Sequence, residues 1–166
     1  MDRSQFNRCV EQYADGLFRF AFASLRNREQ AEDVVQESFT RVWERLNTVD
    51  FAKAKSYLFT IAHHAMIDEI RHRQHFANTE EPLSAETKTT TSPYPDVNDI
   101  LHKAIGTLPE MQRNALLLRD YEGYSYQEIG DITGMSEAQV KVNIFRARTA
   151  LRNQLKSIDN LIDIEP

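Results

Sequence analysis

The sequence predicts an all-α protein made of two small helical domains, the second of which contains a helix-turn-helix. Apolar residues recur every three or four positions through most of the chain, which is the spacing of one helical face. No stretch competes with this pattern by showing the alternation of a half-buried strand. Between His75 and Val97, prolines and a threonine-rich run interrupt the helical pattern. These observations divide the chain into a first domain (1–75), a flexible acidic linker (76–96), a second domain (97–157) and an acidic tail (158–166).

Composition narrows the class of protein. The 166 residues are 41% hydrophobic, which is enough for packed cores and too much for general disorder. The net charge of −5 is unfavourable for a free DNA-binding protein, but much of the acid lies in the linker and the tail. Cys9 is the one cysteine, so no intramolecular disulfide forms and a reducing cytoplasm is expected. No apolar run is long enough for membrane insertion, and the N-terminus lacks the apolar core of a signal peptide.

Three helices are predicted in the first domain, over about Gln5–Leu25, from Asn27 to about Leu46, and over about Lys53–Gln74. Asn27 can cap the second helix, with Gln30 at the reciprocal position. The segment 47–51 breaks the pattern between the second and third helices. The residues expected to face the core are Phe6, Val10, Tyr13, Leu17, Phe20 and Ser24, then Ala31, Val34, Val35, Phe39, Val42 and Leu46, then Leu58, Ile61, Ala65, Ile67 and Ile70.

The second domain is predicted to begin with a helix over about Val97–Thr107. Pro109 is well placed as the first residue of the next helix, because proline at that position loses no helical hydrogen bond. That helix carries Met111 and Ala115–Leu118 and stops near Gly123.

Two more helices complete the second domain as a capped hairpin. Ser125 can cap the shorter helix, with Glu128 at capping-box spacing, and Gly134 can end it in the left-handed conformation. Ser136 can cap the longer helix, with Gln139 at the reciprocal position. The longer helix has an apolar face formed by Val140, Ile144, Ala147 and Leu151, and a basic face formed by Lys141, Arg146, Arg148, Arg152 and Lys156.

This hairpin has two interpretations. A short helix, a glycine turn and a longer basic helix make a helix-turn-helix, whose second helix fits the DNA major groove. A hairpin that only packs against its own domain, with a solvated basic face, is equally compatible with the spacing.

Nothing in the sequence indicates catalysis. His72 and His75 lie one turn apart, but no cysteine or carboxylate completes a recognisable zinc site. No glycine-rich loop could hold a phosphate, and Cys9 has no partner motif of a nucleophile. We therefore expect a protein that is not an enzyme and that needs neither a cofactor nor a metal.

Trp43 also has two interpretations. Its position beside Val42 and Leu46 favours a place in the core. The neighbouring face is polar, however, and a rigid aromatic residue at the edge of such a face is typical of a protein–protein anchor.

Three blocks of the sequence resemble the extracytoplasmic-function sigma factors of bacterial RNA polymerase. They are AEDVVQESFTRVWERL (Ala31–Leu46), SYLFTIAHHAMIDEIR (Ser56–Arg71) and the segment from Leu108 to Arg148, which contains YSYQEIGDITGMSEAQVKVNIFRAR. The resemblance covers nearly the whole chain except the linker and the tail. The resemblance implies a promoter-specificity subunit that binds core RNA polymerase, both its largest and its second-largest subunit, and directs it to a two-part promoter.

The resemblance also implies roles for individual residues. The second helix is similar to the segment that docks on the largest polymerase subunit, with its motif positions at Asp33, Gln36, Glu37, Phe39, Arg41 and Trp43. The next segment is similar to the part that recognises and melts the downstream promoter element (the −10 element) and holds the melted non-template strand. Its candidate contacts are Asn47, Phe51, Lys53, Lys55, Tyr57, His63 and His64.

The hairpin is similar to the reader of the upstream element (the −35 element) in duplex DNA. Its candidate contacts are Ser125, Tyr126, Ser136, Glu137, Ala138, Gln139, Lys141, Val142, Asn143, Arg146 and Arg148. Where many members have Arg-Asn this chain has His63-His64, and where many read VKSR this chain has Val140–Asn143, so its DNA preference can differ. An anti-sigma partner is also implied, without any residue that identifies it.

Two other functional classes fit parts of the sequence. One is a stand-alone helix-turn-helix regulator. The first domain argues against this class because its sequence has no ligand-pocket, receiver or coiled-coil pattern. The other is a helical adaptor that binds only proteins. The basic face of the last helix argues against this class.

Overall fold

The computed structural model describes residues 1–77 and 97–162, and within these ranges every regular element is helical. The chain divides into two compact units. The two-domain, all-α prediction is thus confirmed, while most of the predicted linker and the last four residues lie outside the described residues. The helices are α1 (Arg3–Leu25), α2 (Arg28–Glu44), α3 (Ala54–Ala77), α4 (Val97–Thr107), α5 (Glu110–Leu116), α6 (Tyr126–Thr133) and α7 (Glu137–Ile162).

Helix α1 begins earlier than the periodicity predicts, because Asp2 caps it. The Asp2 carboxylate accepts a hydrogen bond from the Gln5 backbone N–H at 2.8 Å, and the Gln5 side chain accepts one from the Asp2 N–H at 3.0 Å. This reciprocal pair satisfies two backbone donors that the first helical turn leaves free. At the other end Arg26 adopts the left-handed conformation (φ 53°) and closes the helix through its N–H to the Phe22 carbonyl.

The core-facing side of α1 is rotated relative to the prediction. Leu17 and Phe20 are buried as expected, but Phe6, Val10 and Tyr13 are only half-buried. The α1 residues that complete the core are Cys9, Gly16, Ala21 and Leu25. Burial also raises the pKa of the Cys9 thiol, as is usual for a cysteine that packs as a small apolar residue.

Helix α2 has half of the predicted capping box. The Asn27 side chain accepts from the Gln30 N–H at 3.0 Å, but the Gln30 oxygen is buried and has no hydrogen-bond partner among the described residues. The helix ends at Glu44 rather than Leu46. Ala31, Val34, Phe39 and Val42 are buried as predicted, whereas Val35 and Leu46 are only half-buried. Ser38 is an additional core residue, and its hydroxyl donates to the Val34 carbonyl at 2.7 Å.

A short 3-10 turn (Phe51–Lys53) leads into α3, and the Asp50 carboxylate caps it by accepting from the Ala52 N–H at 3.1 Å. Helix α3 continues to Ala77, past the predicted domain end at residue 75. Leu58 and Ile61 are buried as predicted, whereas Ala65, Ile67 and Ile70 are half-buried. Their places in the core are taken by Ala54, Phe59, Ala62, His63 and Met66.

In the second domain α4 has the predicted bounds. Pro109 caps α5 instead of starting it, and α5 passes directly into a π-helical turn (Leu117–Tyr121) that the sequence does not signal. Helix α7 extends to Ile162, into the segment predicted as a tail. The core of this domain is formed by Ala104, Ile105, Leu108, Ala115–Leu118, Tyr124, Ile129, Ile132, Met135, Val140, Ile144 and Ala147.

Two glycines define the hairpin of α6 and α7. Gly134 has φ 81° and ends α6 in the left-handed conformation, as predicted. Gly130 lies inside α6, where a Cβ atom would be 2.8 Å from the Met135 carbonyl oxygen. The close approach of α6 to the turn therefore requires a residue without a side chain. Among the helices of the described ranges, none is long and apolar enough to cross a membrane.

Candidate functional site

The outer face of α2 is exposed, polar and mostly acidic. Asp33, Gln36, Glu37 and Arg41 all lie on the surface, and the Arg41 guanidinium pairs with Glu37 at 2.7 Å. Two shallow grooves follow this face, of about 380 Å³ and about 400 Å³. Half of the residues that line each groove are acidic. The first groove is lined by Asn27, Glu29, Gln30, Asp33, Val34, Glu37, Ala65 and Glu69. The second is lined by Asp33, Gln36, Glu37, Thr40, Arg41 and Glu44.

Trp43 belongs to this face and not to the core. Its side chain is 45% exposed, so the core interpretation is wrong. The indole ring packs edge-on against Phe6 of α1, with 5.0 Å between ring centres, and the Arg3 guanidinium lies 5.8 Å from its centre. Phe39 of the same helix is buried instead, with 9% of its surface exposed. Its ring centre lies 6.1 Å from that of Phe6, so Phe39 supports the face from beneath.

A second exposed region surrounds the 3-10 turn. Phe51 and Tyr57 are half-buried aromatics, Lys53 is exposed and Lys55 is half-buried. Asn47 in the preceding turn and His64 on α3 are both exposed. We call this region the downstream-strand site, formed by Asn47, Phe51, Lys53, Lys55, Tyr57 and His64.

His63 differs from its neighbour His64. Its side chain is 5% exposed, and its Nδ1 atom has no hydrogen-bond partner among the described residues. Burial lowers the pKa of His63 to about 4, with a smaller contribution from His64. A neutral histidine in the core leaves almost no surface for a DNA strand, so we leave His63 out of the downstream-strand site.

Both serines cap their helices as predicted, but only Ser136 and Gln139 form the complete reciprocal pair of a capping box. The Ser125 hydroxyl accepts from the Glu128 N–H at 3.2 Å and donates to the Glu128 carboxylate at 3.0 Å. The Ser136 hydroxyl accepts from the Gln139 N–H at 3.2 Å, and the Gln139 side-chain oxygen accepts from the Ser136 N–H at 2.9 Å. The cap thus uses the oxygen of Gln139 and leaves its amide nitrogen as the group that can bond to a base.

The exposed face of α7 combines positive charge with apolar side chains. Glu137, Ala138 and Arg146 are exposed, and Lys141 lies 3.9 Å from Glu137. Asn143 donates to the Gln139 carbonyl at 2.8 Å, which holds its amide along the helix. Val142 is 44% exposed and Phe145 is 70% exposed. We call this the α7 face, formed by Glu137, Ala138, Gln139, Lys141, Val142, Phe145 and Arg146.

Side chains from the π-helical turn support this face. Tyr126 lies between two cations, with the Arg119 guanidinium 4.7 Å and the Lys141 ammonium 5.6 Å from its ring centre. The Arg148 guanidinium makes two hydrogen bonds to the Asp120 carboxylate, at 3.1 Å and 2.5 Å. Arg148 is therefore already paired within the domain, whereas Arg146 forms no ion pair with any residue in the described ranges.

Several of these residues were not singled out from the sequence. Phe145 follows the buried Ile144, and only its 70% exposure in the structure reveals it as a surface residue. The partners Asp120, Arg3 and Arg8 lie too far along the chain from Arg148, Trp43 and Phe51 for any local spacing to connect them.

Comparison with known families agrees with this geometry. The family described as Sigma-70 region 2 matches residues 9–76, and the family described as Sigma-70 region 4 matches residues 98–151. The ECF RNA polymerase sigma factor SigM of Bacillus subtilis is 28% identical over 146 residues, which span 86% of this chain and 90% of that protein. The ECF RNA polymerase sigma factor SigL of Mycobacterium tuberculosis is 30% identical over 158 residues, 89% of this chain and 87% of that protein.

Solved structures share the fold. The sigma factor RpoE of Bartonella quintana, in complex with the anti-sigma factor NepR, aligns with a TM-score of 0.73 at 23% identity, over 91% of this chain and 96% of that chain. CnrH in complex with the cytosolic domain of CnrY aligns with a TM-score of 0.65 at 22% identity, over 94% of this chain and 90% of that chain.

The first helical domain matches sigma-70 region 2, and the second matches sigma-70 region 4. A stand-alone helix-turn-helix regulator is therefore not favoured. Both curated relatives, of which this chain covers 90% and 87%, are ECF RNA polymerase sigma factors. The chain belongs to the extracytoplasmic-function (ECF) sigma factors, and its function is promoter-specific initiation of transcription.

Proposed function

We propose that the chain docks on core RNA polymerase through the outer face of α2, reads the upstream promoter element with the α7 face and holds the melted downstream strand at the downstream-strand site. In this role it acts as a binding subunit in the cytoplasm, and the chemistry of RNA synthesis belongs to the polymerase. The one observation that carries the docking proposal is Trp43, a rigid aromatic exposed at the edge of a charged helix face and supported by Phe6.

Three properties make the α2 face suitable for a protein partner. Exposed aromatics that are already packed on one side lose little conformational freedom on binding, and tryptophan is enriched among residues that dominate binding energy. The first groove on this face is lined by carboxylates from Glu29, Asp33, Glu37 and Glu69. Such a lining favours a basic partner segment and disfavours a phosphate backbone.

The downstream-strand site has the composition that single strands require. Proteins hold unpaired bases by stacking them on aromatic rings beside positive charge, and Phe51, Tyr57, Lys53 and Lys55 provide both. Replacing Phe51 or Tyr57 with alanine should slow open-complex formation on duplex promoters and have less effect on templates with a pre-melted bubble. An equal loss on both templates would show that these residues do not assist melting.

The α7 face suits duplex DNA. The first turns of a recognition helix enter the major groove, and here those turns carry Glu137, Ala138, Gln139 and Lys141. Lysine can donate to guanine, glutamate can accept from cytosine, and exposed apolar groups such as Val142 and Phe145 can contact a thymine methyl group.

An anti-sigma protein is the second proposed partner. It is supported by the solved sigma factor RpoE, which is described in complex with the anti-sigma factor NepR. No surface of this chain is assigned to that partner.

A gel-shift assay with and without core polymerase tests the proposal as a whole. The chain alone should bind promoter duplex weakly, because its net charge of −5 opposes phosphate binding, and core polymerase should convert it to a tight, sequence-specific complex. Equally tight binding without core polymerase would refute polymerase-dependent promoter recognition. Absence of DNA binding in both cases would leave a protein that binds only other proteins.

A further inference from the structure

We propose that Arg8 of α1 is a phosphate-binding residue of the downstream-strand site. The guanidinium of Arg8 lies 5.4 Å from the centre of the Phe51 ring, so α1 supplies a positive charge to a site whose other residues come from the segment 47–64. This inference rests on the proposed function of that site and adds to it a contact from a different helix.

The position of Arg8 leaves its hydrogen-bond donors available. A guanidinium that lies over an aromatic ring uses the face of its plane for the ring, while its five N–H groups point outward in that plane. Arg8 has no ion pair or hydrogen bond to any residue within 1–77 or 97–162. By contrast, Arg28 and Arg41 of the same domain are paired with Glu32 and Glu37.

The surroundings of Arg8 favour an anionic ligand. Lys53 and Lys55 stand two and four residues after Phe51, and both lie at least partly on the surface. Asp50 is the acid next to Phe51 in the chain, and its carboxylate accepts a hydrogen bond from the Ala52 N–H in the cap of the 3-10 turn. A base stacked at Phe51 would therefore bring its phosphate close to the positive charges of Arg8 and Lys53.

A simpler role for Arg8 is to cover the Phe51 ring with its aliphatic stem. Two substitutions separate the roles, because Arg8→Met keeps the length and apolar contact without charge, and Arg8→Lys keeps the charge without the planar donors. Arg3→Met is a matched control, since Arg3 is on the same helix and also lies over an aromatic ring, 5.8 Å from the centre of Trp43, outside the downstream-strand site.

The experiment is fluorescence anisotropy of a labelled oligothymidylate single strand titrated with the full chain, repeated over a range of NaCl concentrations. We expect Arg8→Met to weaken binding about fivefold at low salt, the effect of losing one charge-assisted contact. The slope of log affinity against log salt should fall by about 0.7, the value for one phosphate of a single strand. Arg8→Lys should keep most of the slope, and Arg3→Met should match the unaltered chain.

The Phe51→Ala variant separates this inference from the proposed function. If Phe51→Ala weakens binding while Arg8→Met keeps both affinity and slope, Arg8 only covers the ring, and the inference fails while the site stands. If Arg8→Met and Arg8→Lys lose affinity equally without a change of slope, Arg8 acts through the fold and the inference also fails. If Phe51→Ala has no effect, or the unaltered chain does not bind the strand, the downstream-strand site itself is refuted together with this inference.

Discussion

The outer face of α2 and the α7 face are both exposed helical surfaces on which a large aromatic residue lies among charges, yet they differ in charge and in support. Helix α2 carries Arg28 and Arg41 against Glu29, Glu32, Asp33, Glu37 and Glu44, whereas α7 carries Lys141, Arg146, Arg148, Arg152 and Lys156 against Glu137 up to residue 156. Trp43 is 45% exposed and packs on Phe6, while Phe145 is 70% exposed.

The difference shows how one type of element can suit two kinds of partner. An acidic face with a supported aromatic suits a protein surface, because the anchor is already ordered and phosphates are repelled. A basic face with a more exposed aromatic suits a groove lined by phosphates, where long cations approach the backbone and apolar groups reach base edges. Charge and packing, and not helix geometry, distinguish the two faces.

The largest expected effect is a difference between the two domains in how strongly acid lowers their stability. The folded-state pKa of His63 is about 4, against 6.5 for an ordinary histidine, so between these values the unfolded chain binds more protons than the folded one. Stability of the first domain should therefore decrease as the pH falls from 6.5 to 4, by up to roughly 3 kcal/mol. Denaturant titrations at several pH values, followed by fluorescence of Trp43, measure this loss.

His64 provides the matched control for the acid effect. His63→Gln should remove most of the pH dependence between 4 and 6.5, and His64→Gln should not, because His64 is exposed. None of the other histidines in the described ranges is buried, so the second domain should be less sensitive to acid than the first. An unchanged pH dependence in His63→Gln would refute this origin of the acid sensitivity.

The next effect concerns Trp43. Trp43→Ala should weaken binding to core polymerase by about 2 kcal/mol, the cost of truncating an interface hot spot. Competition for core polymerase against labelled wild-type chain measures the loss, and circular dichroism checks that the variant is folded. Phe22→Ala is the control, since Phe22 is also an exposed aromatic but stacks on Phe18 of α1, outside the α2 face. Equal affinities for Trp43→Ala and the wild type would remove Trp43 from the docking surface.

A smaller effect is expected on the upstream base preference, where Lys141 and Gln139 of the α7 face should differ. Lys141→Ala should change the preferred base at one upstream position by about 1 to 2 kcal/mol, because its ammonium can reach a base edge. Gln139→Glu keeps the cap with Ser136 but loses the amide donor, so its effect should be smaller than that of Lys141→Ala. Selection from a randomised promoter library with the polymerase complex measures both. An unchanged preference in Gln139→Glu would make Gln139 a cap only.

The smallest expected effect concerns Arg146 and Arg148. Arg146→Ala should weaken all upstream sequences about equally, by roughly 1 kcal/mol, and reduce the salt slope by about 0.9. Arg148→Ala should change the slope less, because Asp120 already neutralises Arg148. Equal slope changes in the two variants would mean that Arg148 leaves Asp120 when DNA binds.

Sequence reasoning succeeded where the signal is local. The left-handed Gly134 and the Ser136–Gln139 pair involve atoms no more than four residues apart, so spacing alone predicts them. The apolar face of α7 was also predicted, since that helix has one clear stripe of which Val140, Ile144 and Ala147 are buried.

It failed where several helical faces compete or where partners are distant in sequence. Helix α3 is apolar around much of its circumference, so the periodicity could not show that His63 and Met66 are buried while Ile67 is half-buried. The exposure of Trp43 depends on Phe6 of another helix, and the pairing of Arg148 depends on Asp120 in the π-helical turn. Such contacts depend on how the helices pack, so the spacing of residues within one helix cannot predict them.

Gly130 has a consequence for how this protein can acquire a new promoter preference. Since a Cβ at position 130 would lie 2.8 Å from the Met135 carbonyl oxygen, any side chain there would force α6 or the turn to shift. Position 130 is therefore closed to substitution unless the backbone moves, whereas the exposed side chains of α7 can be exchanged without such a movement. If the α7 face reads DNA as proposed, a new preference is reached most directly by exchanging exposed side chains of α7, one at a time, on an unchanged hairpin.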